Sequence, residues 1–191
     1  TRRGETLGYE LLDRAPDLLL LDTRLVSKAP ARLLASGMAD GLAKYYESMA
    51  FVGVGEGLSP ARTVRLALSA ARELYDTVWS LGPAAYADAR AGRVTEPVRS
   101  IVRANIVLAG LVGGLGGEGC RAAAAHAINN GLTRVESARR WLHGETVGLG
   151  VLAQLHLEGK TGEADRLKRL FLRLGLPTRL RDVGIVPGSP A

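Results

Sequence analysis

The 191-residue sequence is poor in cysteine, aromatic residues and histidine. Cys120 is the only cysteine, so no disulfide can form within the chain, and a reducing compartment is expected. Aromatic residues make up only 5%, which favours helices packed through small side chains over a β-sandwich. No uninterrupted apolar run approaches the roughly 18 residues of a membrane span, and no signal peptide is recognisable. These absences predict a soluble, cytoplasmic protein without a membrane segment.

The charge of the chain raises the question of a nucleic-acid partner. The formal net charge is +6 and the pI is about 9.9. The basic residues are scattered at helix-like spacing, however, and no zinc-finger, RRM or KH pattern accompanies them. Solvated helix faces explain this pattern, so no nucleic-acid partner is expected. A non-catalytic helical interaction domain or nucleic-acid-binding domain remains the alternative from another functional class.

Apolar spacing divides the chain into a strand-like start and a helical remainder. The run 18–21 is fully apolar and predicts a buried strand, preceded by a less certain one. After Pro30 the apolar residues recur at intervals of three and four, which is typical of helices. Helices are predicted from Ser36, as the cap, to about Phe51, from Ser59-Pro60 to Gly82-Pro83, around 84–90, from Thr95 to about Leu111, from Arg121 to Asn129, from His143 to Glu158, and from Thr161 to Gly175.

A glycine motif at 114–119, "GLGGEG", matches the pattern G-x-G-x-x-G. The dinucleotide-binding fingerprint needs a strand before the motif and a helix after it. Here an amphipathic helix is predicted before it. We therefore interpret the match as fortuitous, with glycines that let helices approach closely.

Two of the three histidines lie 17 positions apart, each beside alanine or glycine. His126 follows four alanines, and His143 precedes Gly144. His156 follows His143 by 13 residues, which is about 220° around an ideal helix, so these two side chains point apart. Spacing alone leaves two interpretations for His126 and His143, either ordinary helix residues or ligands of a metal that also needs a carboxylate.

Asp40 is the carboxylate to consider for such a site. It is predicted in the first turns of a helix, between Ala39 and Gly41. From the residues alone, an acid stabilised by the helix dipole is the simpler interpretation. Glu47 lies seven residues on and on the same face, but beside bulky tyrosines. Glu145 is too near His143 in sequence to point the same way.

Three segments together carry a family resemblance. In order they are "SGMADGLAKYYE", "GGLGGEGCRAAAAHAINNGLT" and "LHGETVGLGVLAQL". They resemble the metal-dependent glycerol dehydrogenase branch of the iron-containing alcohol dehydrogenase superfamily, whose relatives include glycerol-1-phosphate dehydrogenase and dehydroquinate synthase. The stretches "PDLLLLDTRLVSKAP" and "RLGLPTRLRDVGI" also resemble this branch, so the resemblance covers nearly the whole chain.

The resemblance implies a mainly α fold, the helical bundle of the C-terminal domain in this superfamily. It implies that Asp40, His126 and His143 bind one divalent metal, zinc or iron. Residues 29–191 are then expected to form the helical, metal-binding catalytic domain. Residues 1–28 are expected to be the end of an N-terminal Rossmann-like nucleotide-binding domain and the crossover from it. The rest of that domain is expected to be missing, because nothing resembles its glycine-rich pyrophosphate loop.

The activity implied by the resemblance is NAD(P)-linked oxidation of a small polyol or hydroxy compound. The metal is expected to act as a Lewis acid on the substrate hydroxyl, while nicotinamide on the N-terminal domain accepts hydride. The chain is expected to form a homo-oligomer and to be inactive without that domain. Glycerol-1-phosphate dehydrogenase and 2-hydroxy acid dehydrogenase remain alternatives. Dehydroquinate synthase is disfavoured, because it typically has glutamate at the position of Asp40.

Overall fold

The structure, a computed structural model, describes residues 17–26, 28–54, 61–121 and 123–186, and their regular elements are all helical. A π-helical segment, Ala104–Leu108, joins α4 to α5, and 3₁₀ turns occur at Glu118–Cys120, Glu136–Ala138 and Leu180–Val183. The mainly α prediction is confirmed. The α-helices are α1 (Thr23–Val26), α2 (Ala31–Val54), α3 (Arg62–Arg90), α4 (Glu96–Arg103), α5 (Ala109–Gly116), α6 (Ala124–Leu132), α7 (His143–Leu157) and α8 (Thr161–Arg173).

The strand predicted for 18–21 is wrong. Residues 18–22 form neither strand nor helix, and Leu18 and Leu20 are 79% and 88% exposed. A strand takes its stability from the hydrogen bonds of a neighbouring strand, and the described part of the chain contains none. Only Leu21 of this apolar run packs against the core. The less certain strand predicted before it lies outside the described residues.

Helix α2 occupies the centre of the bundle, between α3 on one side and α7 on the other, and it also touches α6. Two glycines of α7 make the packing close. A Cβ at Gly144 would collide with the backbone carbonyl of Ser36, and a Cβ at Gly150 would collide with the backbone of Ala125. Because glycine has no Cβ, α7 can approach both α2 and α6 at backbone distance.

Two helix boundaries near the first half of the bundle differ from those predicted. Helix α2 begins at Ala31, immediately after Pro30, so Ser36 lies inside it and is not its cap. Helix α3 continues through Pro83 to Arg90 and includes the separate helix predicted at 84–90. Buried residues on both sides of the proline, Gly82 and Ala85, hold this helix to the core and offset the hydrogen bond that proline removes. The predicted start at Ser59-Pro60 lies outside the described residues.

The later boundaries agree better with the sequence. Thr95 precedes α4, with proline in the first turn, as predicted. The helix then runs on to Gly116, past the predicted end near Leu111, so the glycine motif follows a helix and not a strand. Helix α6 begins at Ala124, three residues later than predicted. Helix α7 begins at His143, as predicted. Helix α8 begins at Thr161, but the sequence predicts this residue as the helix cap, and in the structure the N-cap is Lys160.

The continuous helix Glu96–Gly116 is long and apolar enough, by length and composition, to cross a membrane. Charged and polar residues interrupt its apolar sequence, so a search for uninterrupted apolar runs does not detect it. A core helix of a soluble protein can have the same length and composition. This helix packs against α3 along both α4 and α5.

Candidate metal centre

Asp40 lies on the tenth residue of α2, so it is not the first-turn acid that the sequence suggested. Two small residues near it are fully buried: Ala39, which precedes it, and Ala43, three positions after it. They leave space beside the carboxylate for the helices that pack on α2. The Asp40 side chain is 34% exposed, yet its Oδ1 atom is buried and has no hydrogen-bond partner.

His126 lies in the first turn of α6 and is almost fully buried. Its Nδ1 atom lies 2.6 Å from Oε2 of Glu47. The other oxygen of Glu47 accepts the backbone N–H groups of His126, at 3.0 Å, and of Ala123, at 2.7 Å. Glu47 itself is fully buried on α2. One carboxylate therefore fixes both the start of α6 and the ring of His126.

His143 is the first residue of α7, and its position depends on how that helix begins. The buried carboxylate of Glu145 accepts the backbone N–H of Leu142 at 2.8 Å and binds the guanidinium of Arg32 through two contacts of 2.7 Å. This ion pair ties the first turn of α7 to the first turn of α2. The His143 Nδ1 atom lies 3.4 Å from the side-chain amide of Asn129 on α6. His143 is 53% exposed.

The three predicted ligands come together. Oδ1 of Asp40 lies 3.6 Å from Nε2 of His126 and 3.8 Å from Nε2 of His143. One ligand atom from each residue lies within 4.8 Å of the others. Zinc bonds of about 2.0–2.1 Å at tetrahedral angles place neighbouring ligand atoms about 3.4 Å apart. The spacing therefore suits a shared metal ion and is too long for direct hydrogen bonds.

The donor set also fits a metal. Oδ1 of Asp40 is a buried oxygen without a hydrogen-bond partner, and such an atom is costly unless something binds it. One carboxylate and two imidazoles suit zinc and leave coordination positions open, as in catalytic sites. The same ligands also suit Fe²⁺.

The charged groups of the cluster shift one another's pKa values. Burial would raise the pKa of Asp40, but the two histidines and Lys44 hold it below its usual value of 3.8. Burial would lower the pKa of His126, but contacts with the carboxylates of Asp40 and Glu47 raise it to about 9. Partial removal from water lowers the pKa of His143 although half of its side chain is exposed. Asp40 is therefore ionised at neutral pH.

Of the three residues that the sequence analysis does not assign to the site, two lie away from the cluster and one contacts it. His156 is exposed on α7 and does not join the cluster, as the helical phase predicted. Glu145 points away from the cluster, toward Arg32. Glu47 is the residue that sequence reasoning missed. Its position seven residues after Asp40 places it on the same helix face and indicates that it lies near the site. The bulky neighbouring tyrosines argue from sequence against that placement.

Comparison with known proteins gives extensive similarity to dehydrogenases, although no family model matches the chain. A glycerol dehydrogenase from Thermotoga maritima is 40% identical over 190 residues, which are 97% of this chain and 50% of that protein. The hydroxycarboxylate dehydrogenase A of Escherichia coli is 34% identical over 182 residues, 95% of this chain and 50% of that protein. The crystal structure of glycerol dehydrogenase from Schizosaccharomyces pombe superposes with a TM-score of 0.85 at 29% identity, covering 100% of this chain and 48% of that one.

The chain is homologous to the glycerol dehydrogenases. The resemblance inferred from the three sequence segments is thereby confirmed, and so is the helical bundle it implied. The chain spans about half the length of the relatives it matches, and it corresponds to their C-terminal part. The short distances among Asp40, His126 and His143 also count against the alternative of a non-catalytic helical domain.

Proposed function

We propose that Asp40, His126 and His143 bind a single divalent metal, zinc in the first instance and iron as the alternative. The observation that carries this proposal is the buried Oδ1 atom of Asp40. It has no hydrogen-bond partner and lies between two imidazole nitrogens at 3.6 and 3.8 Å. Three side chains from three separate helices converge there, which ordinary helix packing does not require.

The chain then supplies the metal- and substrate-binding half of an NAD(P)-linked, cytoplasmic polyol dehydrogenase. The homology to glycerol dehydrogenases supports this activity. In this proposal residues 29–191 form the metal-binding domain. Residues 1–28 are the end of an N-terminal nucleotide-binding domain, which holds the nicotinamide, and the crossover from that domain. The exposed leucines at 18–20 support a partner surface at this end of the chain. A homo-oligomer is part of the same proposal.

The residues of the centre have separate tasks in this reaction. A bound metal supplies Lewis-acid chemistry that makes a substrate hydroxyl more acidic. Asp40 remains ionised because its pKa is lowered, so it offers a charged oxygen ligand. His143 offers a neutral nitrogen at neutral pH because its pKa is lowered, whereas His126, whose pKa is raised to about 9, must lose a proton before its Nε2 can act as a ligand. The exposed fractions of Asp40 and His143, 34% and 53%, leave this side of the centre open to substrate.

A 2-hydroxy acid is the second candidate substrate. Lys44 follows Asp40 by one helical turn, and its charge helps to lower the pKa of Asp40. Its ammonium group donates to the backbone carbonyl of Arg121 at 3.1 Å, and its positive charge suits a substrate carboxylate. The homology to a hydroxycarboxylate dehydrogenase also favours this candidate.

Replacing one ligand tests the metal site directly. Loss of a residue that only hydrogen-bonds to a metal ligand typically weakens metal binding roughly 10–100-fold. Asp40→Asn, which changes a proposed ligand itself, should weaken zinc binding to the chain by more than this, measured by competition with a chelating dye. Asp165→Asn, which removes the same charge from an exposed position on α8, should leave the affinity unchanged. If Asp40→Asn retains wild-type zinc affinity, the site assignment is wrong.

The activity needs a second assay. The chain joined to a nucleotide-binding domain should reduce NAD(P)⁺ with glycerol or with a 2-hydroxy acid, and the ratio of kcat/KM values decides between the two. Turnover of both substrates that is insensitive to Asp40→Asn would refute the proposed role of the metal.

A further inference from the structure

Glu47 has a set of contacts that packing alone does not explain. It is fully buried. Both of its carboxylate oxygens contact the start of α6, at His126 in the first turn and at Ala123, the residue before the helix. Oε1 accepts two backbone N–H groups, from Ala123 and His126. Oε2 lies 2.6 Å from Nδ1 of His126. Because a carboxylate can only accept hydrogen bonds, this contact requires a proton on Nδ1.

A proton on Nδ1 leaves the lone pair of a neutral His126 ring on Nε2. Nε2 is the atom that faces Oδ1 of Asp40 at 3.6 Å, which is where a metal ligand is needed. We propose that Glu47 is a positioning residue that fixes the tautomer and the orientation of His126 for metal binding. This inference rests on the proposed metal site. Carboxylates that hold ligand histidines in this way also increase their basicity.

The second imidazole is held differently. Nδ1 of His143 contacts the neutral amide of Asn129, at the longer distance of 3.4 Å. Asn129 is itself held through Oδ1, 2.6 Å from the hydroxyl of Thr146. His143 is also half exposed, whereas the side chain of His126 is only 7% exposed. His126 is therefore the more firmly held of the two imidazoles. Among the residues that hold the imidazoles, loss of Glu47 should lower zinc affinity most.

The substitution Glu47→Gln isolates this role because it preserves size and shape. The amide oxygen of the new side chain must face the two backbone N–H groups, since an NH₂ group there would meet two donors. The NH₂ group must then face Nδ1 of His126. An amide NH₂ only donates, so Nδ1 must become the acceptor and the ring proton must move to Nε2. The lone pair needed for the metal is lost without creating a cavity.

Zinc affinity is the first measurement. Glu47→Gln should bind zinc about 10–100-fold more weakly than wild type, with an unchanged circular dichroism spectrum. Glu163→Gln makes the same change in a carboxylate that accepts hydrogen bonds from Tyr46 and Tyr75 and touches neither imidazole. It should lower the melting temperature without lowering zinc affinity. Wild-type affinity in Glu47→Gln, or equal losses in both variants, would overturn the positioning role.

The ring proton of His126 is the second measurement, and it does not depend on metal. Nitrogen-15 shifts of metal-free protein, recorded above the pKa of about 9 of His126, should place the proton on Nδ1 in wild type and on Nε2 in Glu47→Gln. A wild-type proton on Nε2 overturns the role of Glu47. If wild type binds no zinc but keeps the proton on Nδ1, the metal proposal fails, while the hold of Glu47 on the ring stands.

Discussion

Gly150 tests whether the close contact between α6 and α7 sets the geometry of the centre. It lies in the middle of α7, where alanine is ordinarily more stable than glycine by about 1 kcal/mol. A Cβ at this position would collide with backbone atoms of Ala125, the residue before His126. Backbone cannot rotate aside as a side chain can. Gly150→Ala should therefore force α6 and α7 apart and move His126 relative to His143.

The expected magnitude follows from two opposing contributions. Overpacking of a close-packed interior costs about 1–3 kcal/mol, and a collision with backbone belongs at the upper end of that range. Subtracting the gain in helix propensity leaves a net loss of about 2 kcal/mol in the free energy of unfolding. For a chain of this size, that corresponds to a melting temperature lower by about 4–8 °C.

Gly110 offers a matched control. It is exposed on α5, and a Cβ there would meet nothing within 4 Å. Gly110→Ala should raise the free energy of unfolding by about 0.5–1 kcal/mol. Urea unfolding of both metal-free variants, followed by zinc titration, measures the two effects. Zinc affinity should fall only in Gly150→Ala. If Gly150→Ala is as stable as wild type and binds zinc equally well, the close approach of the helices does not set the site.

Two further predictions concern pH and the start of α7. The pKa of His126 in the metal-free protein is raised from 6.5 to about 9, so its contribution to stability is complete below about pH 6.5 and is lost as the pH rises through about 9. Zinc must displace the same proton, so zinc affinity should rise across this window, and a flat titration would contradict the pairing. Arg32→Met leaves Glu145, whose side chain is 1% exposed, without its guanidinium partner and should cost about 1–3 kcal/mol in urea unfolding. Arg24→Met, which breaks an exposed pair with Asp22, should cost little, and equal losses would contradict the anchoring of α7.

The sequence predicts the three proposed ligands together only through the family resemblance. Histidine spacing marked His126 and His143 as candidates, but Asp40 looked like an ordinary helix acid. Glu47 was accessible from helix geometry, because positions seven apart differ by only about 20° around the axis. The two bulky tyrosines before it argue from sequence against a site on that face. On a helix they point elsewhere, and Glu47 is buried against α6.

Helix boundaries failed where tertiary packing outweighs local signals. Ser36 has the chemistry of a cap, but good helix formers precede it back to Ala31, and α7 packs on it through Gly144. Pro83 would end an isolated helix, but buried residues on both sides keep α3 continuous. The run 18–21 has the composition of a strand, but the described chain has no strand beside it. For Ser36 and Pro83 the deciding contacts come from helices distant in sequence, α7 and α2.

The centre divides the molecule into parts with different sensitivities. Helix α2 carries both a proposed ligand, Asp40, and Glu47, the carboxylate proposed to orient His126, whereas α6 and α7 each carry one of the two imidazoles in their first turn. Metal affinity should therefore respond to changes in the contacts among these three helices. Within the described residues, helices α3, α4, α5 and α8 supply none of the proposed ligands and none of the side chains that hydrogen-bond to the two imidazoles. Substitutions confined to their cores should lower stability and leave the affinity of the folded protein for zinc unchanged.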